Sequence, residues 1–152
     1  MLLIAPEPAS GEASRALFAE YLALVGSRLG AEFVPTEDIF ASEEAFDGPG
    51  AVWLVARYRR RAVGCGGLRE AAPGVGEATR MFVTASARGR GVGSLLLAEL
   101  ERRAREAGHA RLRLYTTEVL TEARRLYARS GYRPVGVAAT GGRLDLWLEK
   151  RL

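Results

Sequence analysis

Residues 88–94 read RGRGVGS and place three glycines and two arginines directly before a leucine-rich stretch, a composition that suits anion binding. Glycine has no Cβ, so its backbone adopts positive φ angles and lets a bulky group approach the main chain. The first N–H groups of a helix lack internal partners, and the helix dipole places partial positive charge at that end. If the leucine-rich stretch is a helix, the loop predicts a site for a phosphate or pyrophosphate.

Two well-known phosphate-binding loops do not match this stretch. A Walker A loop needs Lys-Ser or Lys-Thr after its last glycine, whereas Gly93 is followed by Ser94 and Leu95. The dinucleotide fingerprint G-x-G-x-x-G would need a glycine at position 94 or 96, and neither position holds one. The loop taken alone leaves two interpretations open, a phosphate site or a tight turn that is rich in glycine.

Two longer segments narrow this choice. Residues 77–108, EATRMFVTASARGRGVGSLLLAELERRAREAG, resemble motif A of the GNAT superfamily of acetyl-CoA-dependent acyltransferases. The family pattern R/Q-x-x-G-x-G/A is matched by Arg88, Gly91 and Gly93. Residues 110–136 resemble the segment that follows in that family. Its signature A-x-x-L-Y-x-x-x-G-[FY] is matched by Ala123, Leu126, Tyr127, Gly131 and Tyr132.

The resemblance implies a donor site for acetyl-CoA and implies no metal. In the family, the pyrophosphate of coenzyme A lies on backbone N–H groups of the motif A loop. That role falls here to Arg88, Gly89, Arg90, Gly91, Val92, Gly93 and Ser94. The pantetheine arm is bound like an extra strand by main-chain groups of the preceding strand, here Met81, Phe82 and Val83. This strand carries a bulge and diverges from its neighbour to admit the cofactor.

The resemblance also implies catalytic residues. Tyr127 aligns with the tyrosine that protonates the departing thiolate, and a phenol with a pKa near ~10 stays protonated at neutral pH. Glu77 lies where some members place a general base, which would take a proton from the acceptor amine; Glu118 and Tyr115 are the alternatives. Many members carry asparagine where this chain has Leu120. The resemblance therefore implies an N-acetyltransferase, and the alternative is a non-catalytic acyl-CoA-binding or regulatory module.

The order of predicted elements is β-α-α-β-β-β-α-β-α-β-β. Helices are predicted at 10–30, 35–46, 95–108 and 121–131 from apolar spacing and glycine or proline stops. The segments 51–58 and 61–70 read as an antiparallel hairpin. Other strands are predicted at 1–5, 77–84, 110–116, 132–138 and 143–152. We expect one α/β (α+β) domain over 1–152. The resemblance implies a GNAT fold: a mixed, mostly antiparallel sheet of six to seven strands, splayed at its centre, with about four helices.

Composition limits the class of partner. The chain has 152 residues and a net charge of +4, and its basic residues are spread over most segments, with RRR at 59–61 as the only run. We therefore expect no nucleic-acid partner. No apolar run is long enough for a membrane helix and no secretory signal is recognisable, so a cytoplasmic protein is expected. The expected partner is an amine, on a small molecule or a protein, and a homodimer is possible. Cys65 reads as a core residue and His109 as an exposed loop residue.

Overall fold

The computed structural model describes residues 1–30, 43–140 and 143–152. Within these ranges the chain forms seven strands and three α-helices: β1 (Leu2–Pro6), α1 (Glu12–Leu29), β2 (Val52–Tyr58), β3 (Arg61–Ala72), β4 (Val75–Val83), α2 (Val92–Glu106), β5 (Arg111–Thr117), α3 (Thr121–Arg129), β6 (Arg133–Thr140) and β7 (Arg143–Arg151). Short 3₁₀ turns cover Glu43–Phe46 and Ala85–Ala87. Most of the helix predicted at 35–46 lies outside the described residues, and its last four residues form a 3₁₀ turn.

The seven strands form one sheet in the order β1-β2-β3-β4-β5-β7-β6. All neighbours are antiparallel except β4 and β5, which are parallel. These two strands pair only between residues 75–78 and residues 111–114. Beyond Ala78 and Leu114 they diverge, so the centre of the sheet opens into a V. The mixed sheet and the central splay expected for a GNAT fold are confirmed.

Strand β4 carries a bulge immediately after the point where the V opens. Thr79 pairs with Gly67 and Phe82 pairs with Cys65, so three steps along β4 match two steps along β3. Arg80 accommodates the additional residue with a φ of 55°, a left-handed conformation that is uncommon for a residue with a side chain. The bulge reverses the alternation of side chains along β4. As a result, Met81 lies on the opposite face from Glu77 and Thr79.

Helices cover both faces of the sheet. Helix α2 packs on β2, β3, β4 and β5, and with α3 it buries the larger core, which includes Leu54, Leu68, Leu96, Leu100, Leu112 and Leu126. Helix α1 packs on β3 and β4 from the other face over a smaller core that includes Leu17, Phe46, Trp53 and Phe82. Phe46 lies directly on Gly67, where a Cβ would come within 2.3 Å of its ring.

Two side-chain placements test the sequence analysis. Cys65 is buried, as predicted, and burial raises the pKa of its thiol to about 12. His109 was predicted to be exposed, and this is wrong, because only 8% of its surface is accessible. Gly108, with a φ of 87°, turns the chain after α2 toward the start of β4, where the His109 imidazole packs against Gly76. No helix in the described ranges is long and apolar enough to cross a membrane.

Candidate active site

The glycine-rich loop ends at the N-terminus of α2. Gly89 and Gly91 have φ angles of 76° and 79°, and a Cβ on either would meet no atom within 4 Å. Gly91 is the N-cap of the helix and has no side chain to offer to the first turn. The N–H groups of the first turn, from Val92 to Ser94, therefore point out of the helix without internal partners. This is the local geometry in which a helix end binds an anion.

A cavity of about 510 Å³ lies between the end of β4 and α3, the helix that follows β5. Most of the residues assigned to the donor site by the sequence line it. These are Met81, Phe82, Val83, Arg88, Gly89, Gly91, Val92, Gly93, Ser94 and Tyr127. Arg90 is exposed and is not among the lining residues. Among the described residues, no group of three or more His, Cys, Asp or Glu side chains could hold a metal ion.

Arg88 connects the loop to the strand. Its Nε donates a hydrogen bond to the carbonyl oxygen of Val83 over 3.1 Å, and its guanidinium lies 5.7 Å from the centre of the Phe82 ring. This arginine therefore fixes the loop against the end of β4, in addition to placing a positive charge at the cavity. Two further arginines of the lining, Arg125 and Arg129, were missed by the sequence analysis. They lie one turn apart on α3, and nothing in their local sequence distinguishes them from the many other arginines.

Tyr127 is 6% exposed and lies on the buried side of α3, where its ring packs edge-on against Tyr132 with ring centres 6.2 Å apart. Burial raises the pKa of its phenol well above the usual value, with a smaller contribution from Tyr21. Tyr127 therefore keeps its proton over the whole range of physiological pH. Leu120, the residue that replaces the family's asparagine, is the N-cap of α3 and lines the cavity without a side-chain hydrogen bond.

Helix α1 supplies one wall of the cavity, which the sequence analysis did not anticipate. Tyr21 and Leu24, one turn apart, belong to the lining. One turn further on, Arg28 binds both carboxylate oxygens of Glu122 at 2.7 Å and donates to the carbonyl oxygen of Val119 at 3.1 Å. Since α1 packs on β3 and β4 while Glu122 belongs to α3, these bonds join the two sides of the V.

Glu77 lies outside the lining residues of the cavity. It belongs to the part of β4 that still pairs with β5, opposite Arg113. Its neighbours Gly76 and Ala78 face α2, so alternation places its side chain on the α1 face of the sheet. There its carboxylate accepts a hydrogen bond from Arg69 over 2.9 Å. Its role as a base stays a prediction.

Tyr115 and Glu118 are the alternatives to Glu77 as the base. Tyr115 lies on β5 just beyond its pairing with β4, and Glu118 directly follows β5. The Glu118 carboxylate accepts a hydrogen bond from the backbone N–H of Leu144 over 2.9 Å, which fixes it to β7. Tyr115 is 41% exposed, and its ring packs on Trp147 with ring centres 4.8 Å apart. Both side chains are thus held toward β7, and neither is among the lining residues of the cavity.

Known proteins share both the sequence pattern and this architecture. The family model described as "Acetyltransferase (GNAT) family" matches residues 16–132. An IAA acetyltransferase of Azospirillum brasilense is 37% identical over 107 residues, which cover 68% of this chain and 70% of that protein.

Solved structures agree with the family match. A Klebsiella pneumoniae protein assigned as an acyl-CoA N-acyltransferase is 28% identical, with a TM-score of 0.77 over 100% of this chain and 98% of its own. A GNAT family acetyltransferase of Elizabethkingia anophelis, solved with acetyl-CoA bound, has the same fold at 17% identity and a TM-score of 0.71, over 99% and 98% of the two chains. The chain belongs to the GNAT acetyltransferase family.

Proposed function

We propose that this protein transfers the acetyl group of acetyl-CoA to a primary amine, on a small molecule or a protein, within a ternary complex. One observation carries the proposal: a single cavity combines the open N-terminus of α2 with the buried, protonated phenol of Tyr127. The N–H groups at the helix end can bind the phosphates of the donor, and the phenol can give its proton to the leaving thiolate. The acetyl-CoA complex of the related Elizabethkingia protein supports the choice of donor.

The donor site fits the chemistry of coenzyme A along its length. The pyrophosphate would lie on the backbone N–H groups of residues 89–94, beside Arg88, Arg125 and Arg129. The open space at Gly89 and Gly91 leaves room for phosphate oxygens at the main chain. Phe82 and Val83 pair with β3 on one side, whereas β5 has already diverged from residues 81–83 on the other. Their backbone groups on that side are available to the amides of the pantetheine arm.

The reaction would proceed by direct attack. The amine nitrogen forms a bond to the thioester carbon, the C–S bond breaks, and the sulfur leaves as a thiolate that takes the proton of Tyr127. The backbone N–H near Val83 would polarise the carbonyl oxygen. We assign the proton lost by the amine to Glu77. Because its carboxylate lies outside the cavity lining, that transfer would pass through an intervening water.

One observation favours a second function, an acyl-CoA-binding module without catalysis. Leu120 lines the cavity at a position where many members carry asparagine, so one polar contact to the donor is missing. The two functions differ in one measurable respect. An enzyme releases free coenzyme A thiol when a panel of amines is added with acetyl-CoA, whereas a binding module does not.

The donor site can be tested with two neighbouring variants. Ser94 lines the cavity in the first turn of α2, whereas Leu95 is 52% exposed and lies outside the lining. Ser94→Glu places a negative charge beside the expected phosphates, and Leu95→Glu places the same charge on the outer side of the helix. An acidic residue in the first turn favours the helix, so neither variant should lose stability. We expect calorimetry to show at least a tenfold loss of acetyl-CoA affinity for Ser94→Glu alone. Equal affinities in the two variants would exclude this site.

A further inference from the structure

Aromatic packing fixes the position of the wall that α1 contributes to the cavity. The Tyr21 ring packs between Phe18, with ring centres 6.1 Å apart, and Phe82, with ring centres 6.0 Å apart. Phe82 is 7% exposed and belongs to the core beneath α1. The ring of Tyr21 therefore cannot swing away from the cavity without disrupting two aromatic contacts.

The far end of α1 is fixed as well. Arg28, two turns after Tyr21, holds Glu122 of α3 through two hydrogen bonds and the carbonyl oxygen of Val119 through a third. A planar guanidinium that pairs with both oxygens of a carboxylate restricts direction as well as distance. The segment from Tyr21 to Arg28 thus spans the V from the β4 side to α3, with Tyr21 and Leu24 facing the cavity.

The position of Tyr21 relative to the donor follows from the proposed function, on which this inference rests. The phosphates lie at the N-terminus of α2, and the sulfur lies at Tyr127. The acyl group is attached to the sulfur at the end of the donor that is opposite the phosphates. Tyr21 and Tyr127 line the same cavity, and the Tyr21 ring packs on Phe82 at the end of β4 with ring centres 6.0 Å apart. The acyl group that extends from the sulfur would therefore lie against the wall formed by Tyr21, Leu24 and Phe82.

We propose that Tyr21, supported by Leu24, determines the length of the acyl group that the protein accepts and restricts it to acetyl. The acetyl group ends at its methyl carbon. Propionyl and butyryl groups are one and two methylenes longer, and the additional carbon atoms would extend into the wall. Close-packed aromatic and aliphatic side chains give little space to additional carbon atoms. Tyr21 acts here by its ring, so removal of the hydroxyl alone leaves the selectivity unchanged.

The test measures binding and needs no acceptor. Affinities of coenzyme A, acetyl-CoA and butyryl-CoA are measured by calorimetry for the wild-type protein and for Tyr21→Ala. In the wild type we expect butyryl-CoA to bind at least tenfold more weakly than acetyl-CoA. Tyr21→Ala opens the wall, and a buried methylene then gains up to about fourfold in affinity, or roughly fifteenfold for two. The ratio of the two affinities should therefore shift toward butyryl-CoA by at least tenfold.

Three further variants make the result specific. Tyr21→Phe keeps the ring and should keep the wild-type ratio. Tyr58→Ala removes a tyrosine that is 39% exposed on the β2–β3 hairpin, outside the cavity lining, and should also keep it. Leu24→Ala should shift the ratio in the same direction as Tyr21→Ala. It therefore provides an independent measurement of the affinity ratio if Tyr21→Ala folds poorly.

Two results would overturn the inference in different ways. If coenzyme A binds but the butyryl-to-acetyl ratio is the same in the wild type, Tyr21→Ala and Leu24→Ala, the wall does not select the acyl group, and the donor site stands. If coenzyme A and its thioesters do not bind the wild type, the proposed function fails, and the inference fails with it.

Discussion

Nε of Arg69 donates a hydrogen bond over 2.9 Å to the carboxylate of Glu77, and the two residues stand opposite each other on β3 and β4. The same register continues through Arg113 on β5 to Glu149 on β7, whose side chains approach to 3.4 Å. Charges of alternating sign thus cross four strands on the α1 face of the sheet. Such a row stabilises a sheet, which gives Glu77 a structural role beside its proposed role as a base.

Two variants separate these roles of Glu77. Glu77→Gln and Arg69→Gln break the same ion pair, but only the first removes the carboxylate. If Glu77 accepts the proton of the amine, kcat should fall in Glu77→Gln by about 10²–10⁴-fold, the usual range for lost acid–base catalysis. It should recover as the pH rises, because more of the amine is then already neutral. Arg69→Gln should keep most of its activity.

The measurement is the pH–rate profile of each variant together with its thermal stability. Equal losses of stability in both variants, with wild-type pH profiles, would assign Glu77 to the charge row alone. Glu118 or Tyr115 would then be the next candidates for the base.

Tyr127 can be compared with a tyrosine that lies against it. Tyr127→Phe removes the proposed proton donor and keeps the ring, so kcat should fall about a hundredfold while acetyl-CoA affinity changes little. Tyr132→Phe is the matched control, because the Tyr132 hydroxyl donates to the buried carboxylate of Glu101 over 2.9 Å. That variant should lose stability and keep its turnover. The opposite pattern, with turnover lost only in Tyr132→Phe, would remove Tyr127 from the mechanism.

The local conformations that the sequence analysis predicted correctly belong to residues with strong conformational preferences. Glycines at 89 and 91 adopt positive φ, which few other residues tolerate, and the Leu-rich stretch after them has the spacing of a helix. The V between β4 and β5 followed from the family resemblance, because a parallel pair that separates after four residues has no local sequence mark.

The features that the sequence analysis missed depend on contacts between distant segments. Helical spacing indicated that Tyr21 and Leu24 share one side of α1, but not that this side covers a cavity. Arg28 and Glu122 are 94 residues apart, and exposed arginines are too common in this chain to suggest a particular pair. The bulge in β4 was expected from the family resemblance, whereas the left-handed conformation of Arg80, through which Met81 faces α2 while Glu77 faces α1, has no mark in the local sequence.

The ion pair between Arg28 and Glu122 predicts a defined dependence of stability on pH. Hydrogen bonds from Arg28, with a further one from the backbone of Glu122 itself, lower the pKa of the Glu122 carboxyl from 4.5 to about 2. A carboxyl whose pKa is lower in the folded state stabilises the fold above its unfolded pKa. That contribution is lost as the pH falls through the folded value. The pair should therefore act fully above pH 4.5 and fade toward pH 2.

The size of this effect is limited by exposure. The Glu122 side chain is 52% exposed, so solvent screens the charges, and a bidentate surface pair contributes about 1 kcal/mol at most. Glu122→Gln should lower the melting temperature at pH 7 by about 2–4 °C, the usual shift per kcal/mol for a chain of this size. The difference from the wild type should shrink between pH 4.5 and pH 2 and then vanish. Arg28→Gln should show the same loss between pH 4.5 and pH 2, added to a loss that does not depend on pH, because it also removes the hydrogen bond to the carbonyl oxygen of Val119. A difference that stays constant down to pH 2 would show that packing, and not the charge of Glu122, joins α1 to α3 across the V.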